Sequence, residues 1–215
     1  YRLELKGTDK EGVAQVNVLD KAIHLAVEDL FSATNFILDN ADQFGVNPSN
    51  IVISGSSAGA ISVMQAEYEI ANATQWASVL PAGFNYAGVM SFSGAILSRE
   101  GKVDFKKSPC PTLMLHGTSD ELVPYDQIKV FNLGFFGGGK LVERFKKYGL
   151  NYNMYHFTDY GHEIAGSMDT TLDLQLKFLE TNVMQKKMRI VEAWISDPDV
   201  FKGSGPQSRK ELYGN

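Results

Sequence analysis

The sequence predicts an α/β protein with a mostly parallel sheet and helices on both faces. Three observations carry this. Short apolar or β-branched runs recur at 51–54, 88–93, 111–116 and 152–157. Stretches with helical apolar spacing separate several of them. The runs are mostly apolar, as in strands covered on both faces. The chain of 215 residues is 44% hydrophobic and 11% aromatic, which is enough for one large core and argues against disorder. It reads as a single domain over 1–195 with a polar tail, 196–215.

Taken in order, residues 1–20 are mixed and polar and read as a loop. From about Asp20 to Asp42, Ile23, Val27, Leu30, Phe31, Ala33, Ile37 and Leu38 recur at helical spacing. Gly45 ends that helix, and Asn47-Pro48-Ser49 is turn chemistry. Ile51–Ser54 is the first strand, and 61–70 a second helix. Gly88–Ser93 and Pro111–His116 are the next strands. Lys140–Tyr148 is an amphipathic helix, Tyr152–Phe157 a fourth strand, and 170–188 a final helix extending toward Trp194. The 122–139 stretch, rich in Val, Tyr, Phe and Leu, fits pocket lining or core packing equally well. Gly137-Gly138-Gly139 lacks the Lys-Ser/Thr context of a phosphate loop and reads as a flexible turn.

Several function classes are excluded early. The formal charge of −5 and the absence of a basic block give no footprint for nucleic acid or an anionic membrane surface. No apolar run is long enough for a membrane span. Cys110 is the single cysteine, so there is neither an internal disulfide framework nor a cysteine-rich zinc site. No paired His/Asp/Glu spacing indicates a metal.

Sites in parallel sheets lie beyond the carboxyl ends of the strands. There, Gly55-Ser56-Ser57-Ala58-Gly59 is a G-x-S-x-G sequence between a strand and a helix. The sharp turn puts Ser57 in a strained backbone conformation, with its hydroxyl exposed. Gly55 and Gly59 avoid side-chain collisions across that turn. The helix that follows aims its amide groups at the site, so the Ala58 N–H is a candidate oxyanion donor. A plain Gly/Ser turn has the same composition; the strand-turn-helix placement favours the nucleophile.

Of four histidines, His24 reads as a surface or packing residue, His156 as structural, and His116 as a hydrogen-bonded structural group. His162 lies in a loop just past the fourth strand, on the side where Ser57 sits, and is the candidate base. Asp120 follows the third strand and is the candidate acid that orients it; Glu121, Asp126 and Asp159 are competitors. Ser56, Leu122 and Val123, which flank these groups, are expected to bind substrate.

The stretches VNPSNIVISGSSAGA (46–60), PTLMLHGTSDELVP (111–124) and YGHEIA (160–165) together resemble the α/β-hydrolase superfamily. Within it they are similar to the bacterial carboxylesterases and the feruloyl and acetyl-xylan esterases. The resemblance implies Ser57 as nucleophile, His162 as base, Asp120 as its orienter and Ala58 N–H as one oxyanion donor, with no cofactor. Its substrates would be small-molecule or glycan esters, plant-polysaccharide acyl or feruloyl esters above all. Members of the group carry a His-Gly-Gly oxyanion loop upstream, and none precedes Ser57. Tyr1-Arg2-Leu3 resembles the end of an earlier family strand. The expectation is therefore a carboxyl-terminal portion of a longer hydrolase, whose upstream residues supply the early strands and the second oxyanion donor. The alternatives are a catalytically incompetent binding module on the same fold, or a peptidase.

Overall fold

A computed structural model of the chain describes residues 13–197, with side chains from residue 17 onward. The expected loop over 1–12, the strand-like Tyr1-Arg2-Leu3 and most of the polar tail lie outside the described residues. Five parallel strands form the central sheet in the order β1-β2-β4-β7-β8: Val52–Ser56, Gly88–Phe92, Thr112–Gly117, Tyr152–Phe157 and Val191–Ile195. A second, antiparallel sheet has the order β3-β6-β5, built from Ala95–Ser98, Leu133–Gly137 and Gln127–Val130.

Helices cover both faces of the parallel sheet. On one face lie α1 (Val13–Asp39), α3 (Ala58–Asn72) and α4 (Gly138–Tyr148), with the short α2 (Ala41–Phe44) continuing α1. Ile23, Val27 and Phe31 of α1 meet Ile61 and Met64 of α3, Phe145 of α4, and Val89, Met114 and Met154 of the strands. The other strand side chains, including Met90, Phe92, Leu113, Leu115 and Phe157, pack on Ile164, Phe178 and Val183. The alternation follows from the twofold side-chain period of a strand.

Helix α3 is buried nearly all round, including Gln65, Glu67 and Glu69. Buried polar groups must be paired, and these pairs tie α3 to its surroundings. Gln65 donates to the Leu97 carbonyl of β3 at 3.2 Å and accepts the Leu97 N–H at 3.0 Å. Glu69 accepts from Gln65 at 2.7 Å and from Thr74, and faces His24 of α1 at 3.4 Å. Glu67 accepts the Cys110 N–H at 2.8 Å, while its second oxygen is buried with no hydrogen-bond partner among the described residues.

The structure corrects the sequence reading at several elements. Residues 13–20 belong to α1, not to a loop. The final helix spans only Leu172–Phe178 (α5), widens into a π-helical turn over Leu179–Met184, and stops. The segment read as its extension is β8, where side chains alternate between half-buried and exposed. That period of two marks a strand. The 127–137 segment is a hairpin whose Ile128, Val130 and Phe131 are exposed, while Phe136 joins the core. Gly137–Gly139 is not a flexible turn. Gly137 ends β6 and precedes α4, and a Cβ there would lie 1.7 Å from the Pro124 carbonyl oxygen.

The two glycines of the Ser57 turn differ. A Cβ on Gly55 would lie 2.2 Å from the Gly59 oxygen and 2.7 Å from the Ala60 nitrogen, both rigid backbone. A Cβ on Gly59 would meet nothing within 4 Å among the described residues. Only Gly55 is thus sterically required, contrary to the expectation for both. Gly55→Ala is expected to lower stability by roughly 2–4 kcal/mol, read as a fall in Tm. Gly59→Ala, in the first turn of α3, is expected to hold or raise Tm, by up to ~1 kcal/mol of helix propensity.

Burial raises the Glu67 carboxyl from 4.5 to about 7, opposed by hydrogen bonding from Cys110. A raised folded pKa stabilises fully below the unfolded value, and that stability is lost as pH rises through the folded one. Between about 4.5 and about 7, wild type should lose stability relative to Glu67→Gln, which keeps the acceptor for Cys110 N–H. Thermal melts across that range should show the gap widen and then level off above it.

Candidate active site

Ser57, between β1 and α3, has φ 53° and ψ −119°, a strained region for a residue with a side chain. Its surroundings over-determine that conformation. Its N–H donates to the Phe92 carbonyl at 2.9 Å and its carbonyl accepts the Ile61 N–H at 3.0 Å. The side chain then points at the carboxyl ends of the strands. There Ser57 Oγ lies 2.8 Å from His162 Nε2. His162 Nδ1 lies 2.8 Å from Asp120 Oδ2. A proton on Nδ1 meets the carboxylate, which leaves Nε2 free to accept the Ser57 O–H. Ser57 is half-buried, His162 is 8% exposed, and the Asp120 carboxyl has no exposed surface.

Sheet order explains why the loops must be held. His162 follows β7, whereas Ser57 follows β1, with β2 and β4 between them. The histidine loop crosses the end of β4 at Gly117, where a Cβ would lie 2.3 Å from the Tyr160 and Gly161 carbonyl oxygens. Ser119 N–H donates to the Tyr160 carbonyl at 2.9 Å and Thr118 N–H to the Phe157 carbonyl at 2.9 Å. The loop then forms a 3₁₀ turn, His162–Gly166, and Ser56 Oγ donates to the Ala165 carbonyl at 2.5 Å. The serine turn and the histidine loop are thereby joined directly.

With this geometry in hand, a model of the phospholipase/carboxylesterase family matches residues 16–183. The chain belongs to that family of the α/β-hydrolase superfamily. Among curated proteins, none matches the chain in sequence. A solved structure of a variant of Arabidopsis thaliana SOBER1 is similar at 18% identity and a TM-score of 0.42, covering 73% of this chain. The chain spans 66% of that structure's length. No described helix is long and apolar enough to cross a membrane.

The remaining candidate residues fall into place around the three. Ala58 is the first residue of α3, so its N–H has no partner within the helix. Leu122 and Val123 donate their backbone N–H groups to Asp120 Oδ1, each at 2.9 Å. The Val123 side chain is buried in the core, and the Ser56 hydroxyl is taken up by Ala165. What the structure gives Ser56 and Val123 is a positioning contact each. Glu121, Asp126 and Asp159 are exposed. His24 stacks on Trp76 at 4.3 Å. His156 stacks on Trp194 at 4.1 Å and lies 2.7 Å from the Tyr125 hydroxyl.

His116 is hydrogen-bonded, and it also lies against Asp120. It is 1% exposed, and its Nε2 lies 3.1 Å from the Val123 carbonyl and 3.4 Å from Asp120 Oδ2. The sequence signal was only its position at a strand end beside Gly117. Burial opposes ionisation of Asp120, but hydrogen bonds from His116 and His162 outweigh it and hold the carboxyl well below the usual range.

A depressed carboxyl pKa stabilises above the unfolded value and is lost as pH falls below it, here below ~4. Asp120→Asn is therefore expected to cost roughly 1–3 kcal/mol of stability near neutral pH. Thermal or urea melts should show that the difference from wild type shrinks as pH falls below ~4.

Proposed function

We propose that the chain hydrolyses carboxylic esters through an acyl-enzyme on Ser57, with His162 carrying the proton and Asp120 orienting it. The observation that carries this reading is the continuous hydrogen-bonded file Ser57–His162–Asp120 at the carboxyl end of the parallel sheet. Ser57 Oγ attacks the ester carbonyl carbon while its proton passes to His162 Nε2. The carbonyl electron pair moves onto oxygen, and the oxyanion faces the Ala58 N–H at the positive end of α3. Collapse breaks the ester C–O bond, and the departing alkoxide takes the proton from His162. Water then attacks the acyl carbon, giving a proton to the same nitrogen, and Ser57 leaves with that proton restored. No step calls for a cofactor.

The family supports a carboxylesterase- or phospholipase-type substrate. Acetyl or feruloyl esters of plant polysaccharides are the finer proposal, and what supports them is the resemblance of the three sequence stretches. Initial rates on p-nitrophenyl acyl esters, methyl ferulate, acetylated xylan and a short-chain phospholipid test both levels. Turnover of at least one chromogenic ester is expected, with Ser57→Ala lower by at least about a thousandfold. No turnover by wild type would favour a binding module on a hydrolase fold, and equal turnover by wild type and Ser57→Ala would overturn Ser57 as the nucleophile.

A further inference from the structure

His116 and His162 both approach Asp120 Oδ2, at 3.4 and 2.8 Å. Its two ring nitrogens have separate partners, and the partners fix its tautomer. The Gly138 N–H, at the start of α4, donates to His116 Nδ1 at 3.3 Å. A nitrogen that accepts carries no proton, so in the neutral ring the hydrogen is on Nε2. That hydrogen goes to the Val123 carbonyl, 3.1 Å away, and Asp120 Oδ2 lies 3.4 Å from the same nitrogen. Asp120 Oδ1 already accepts from Leu122 and Val123 N–H, and Oδ2 from His162. His116 Nε2 thus stands beside the same carboxylate oxygen that meets His162. Close approach makes this possible: a Cβ on Gly138 would lie 3.0 Å from His116 Nδ1. Tyr125 closes the other side, edge-on to the ring with centroids 5.7 Å apart.

We infer that His116 is a positioning residue for the proposed hydrolysis: through Nε2–H it fixes the Asp120 carboxylate for His162, while Gly138 N–H fixes its tautomer. The inference rests on the ester-hydrolase reading for its kinetic consequence, but not for its geometry. A residue that merely anchored α4 would need only Nδ1. One that positions Asp120 needs Nε2–H.

Two substitutions separate these roles. The amide nitrogen of His116→Gln reaches the place of Nε2, and the amide oxygen of His116→Asn reaches the place of Nδ1. On the full chain, with a chromogenic ester, His116→Asn should lower kcat by about tenfold or more, as expected for losing a hydrogen bond to a charged group. KM should stay within about twofold, because the lost contact touches no substrate. His116→Gln should recover most of the kcat. The low-field proton signal of His162 Nδ1–H should persist in wild type and His116→Gln and be displaced or lost to exchange in His116→Asn.

A wild-type kcat in His116→Asn would overturn the inference, as would impairment of His116→Gln alone. Equal loss in both variants together with a lowered Tm would assign the residue to packing and overturn it too. If wild type hydrolyses no ester, the hydrolase reading fails by itself. The proton signal across the same variants then still decides whether His116 holds Asp120.

Discussion

The tight turn from β1 into α3 is the constraint on which the rest of the site depends. Gly55 must pass within van der Waals contact of the Gly59 carbonyl, which leaves no room for a Cβ. That approach forces Ser57 to a positive φ and starts α3 immediately behind it. A relaxed turn would lower the local strain but would move the hydroxyl off the line to His162. The strain is held by α3 itself, whose first turn bonds to the Ser57 carbonyl and whose body is locked by Gln65, Glu67 and Glu69. The buried polar residues of α3 are therefore part of the same design: they fix the helix whose amino end would face a developing charge.

The second constraint is distance across the sheet. Three strands contribute Ser57, Asp120 and His162, and they are not neighbours in a simple row. Gly117 lets the histidine loop cross the end of β4 in contact with its backbone. Ser56 and Ala165 close the gap on the far side. Asp120 accepts from the Leu122 and Val123 N–H groups of its own loop and lies against two histidines, His162 at 2.8 Å and His116 at 3.4 Å. Rigid placement of a buried carboxylate is what keeps a histidine in one tautomer.

Much of this was legible in the sequence, for identifiable reasons. The four strands flanking the site are apolar runs bounded by Gly or Pro, and periodicity finds such runs readily. Ser57, Asp120 and His162 stood out because each follows a strand, and the structure brings them into one hydrogen-bonded file. Of what was missed, β3 is a short apolar run directly after β2, and the rest has weaker signals. β5 is a four-residue strand with every side chain exposed, and β6 is broken by two glycines, so each is too short or interrupted to stand out. β8 follows the π-helical turn closely enough for its apolar residues to blend into a helical count. His116 was placed correctly at a strand end, but which of its nitrogens faces which partner is a tertiary fact that no local spacing encodes.

The central claim is a covalent intermediate on Ser57, and rapid-quench intact-mass spectrometry during turnover of an activated acyl ester tests it most directly. The account predicts a transient species heavier than the free chain by one acyl group, with digestion placing that group on the peptide containing Ser57. Ester hydrolysis with no acylated species under single-turnover conditions, or an acyl group mapped to another residue, would contradict it.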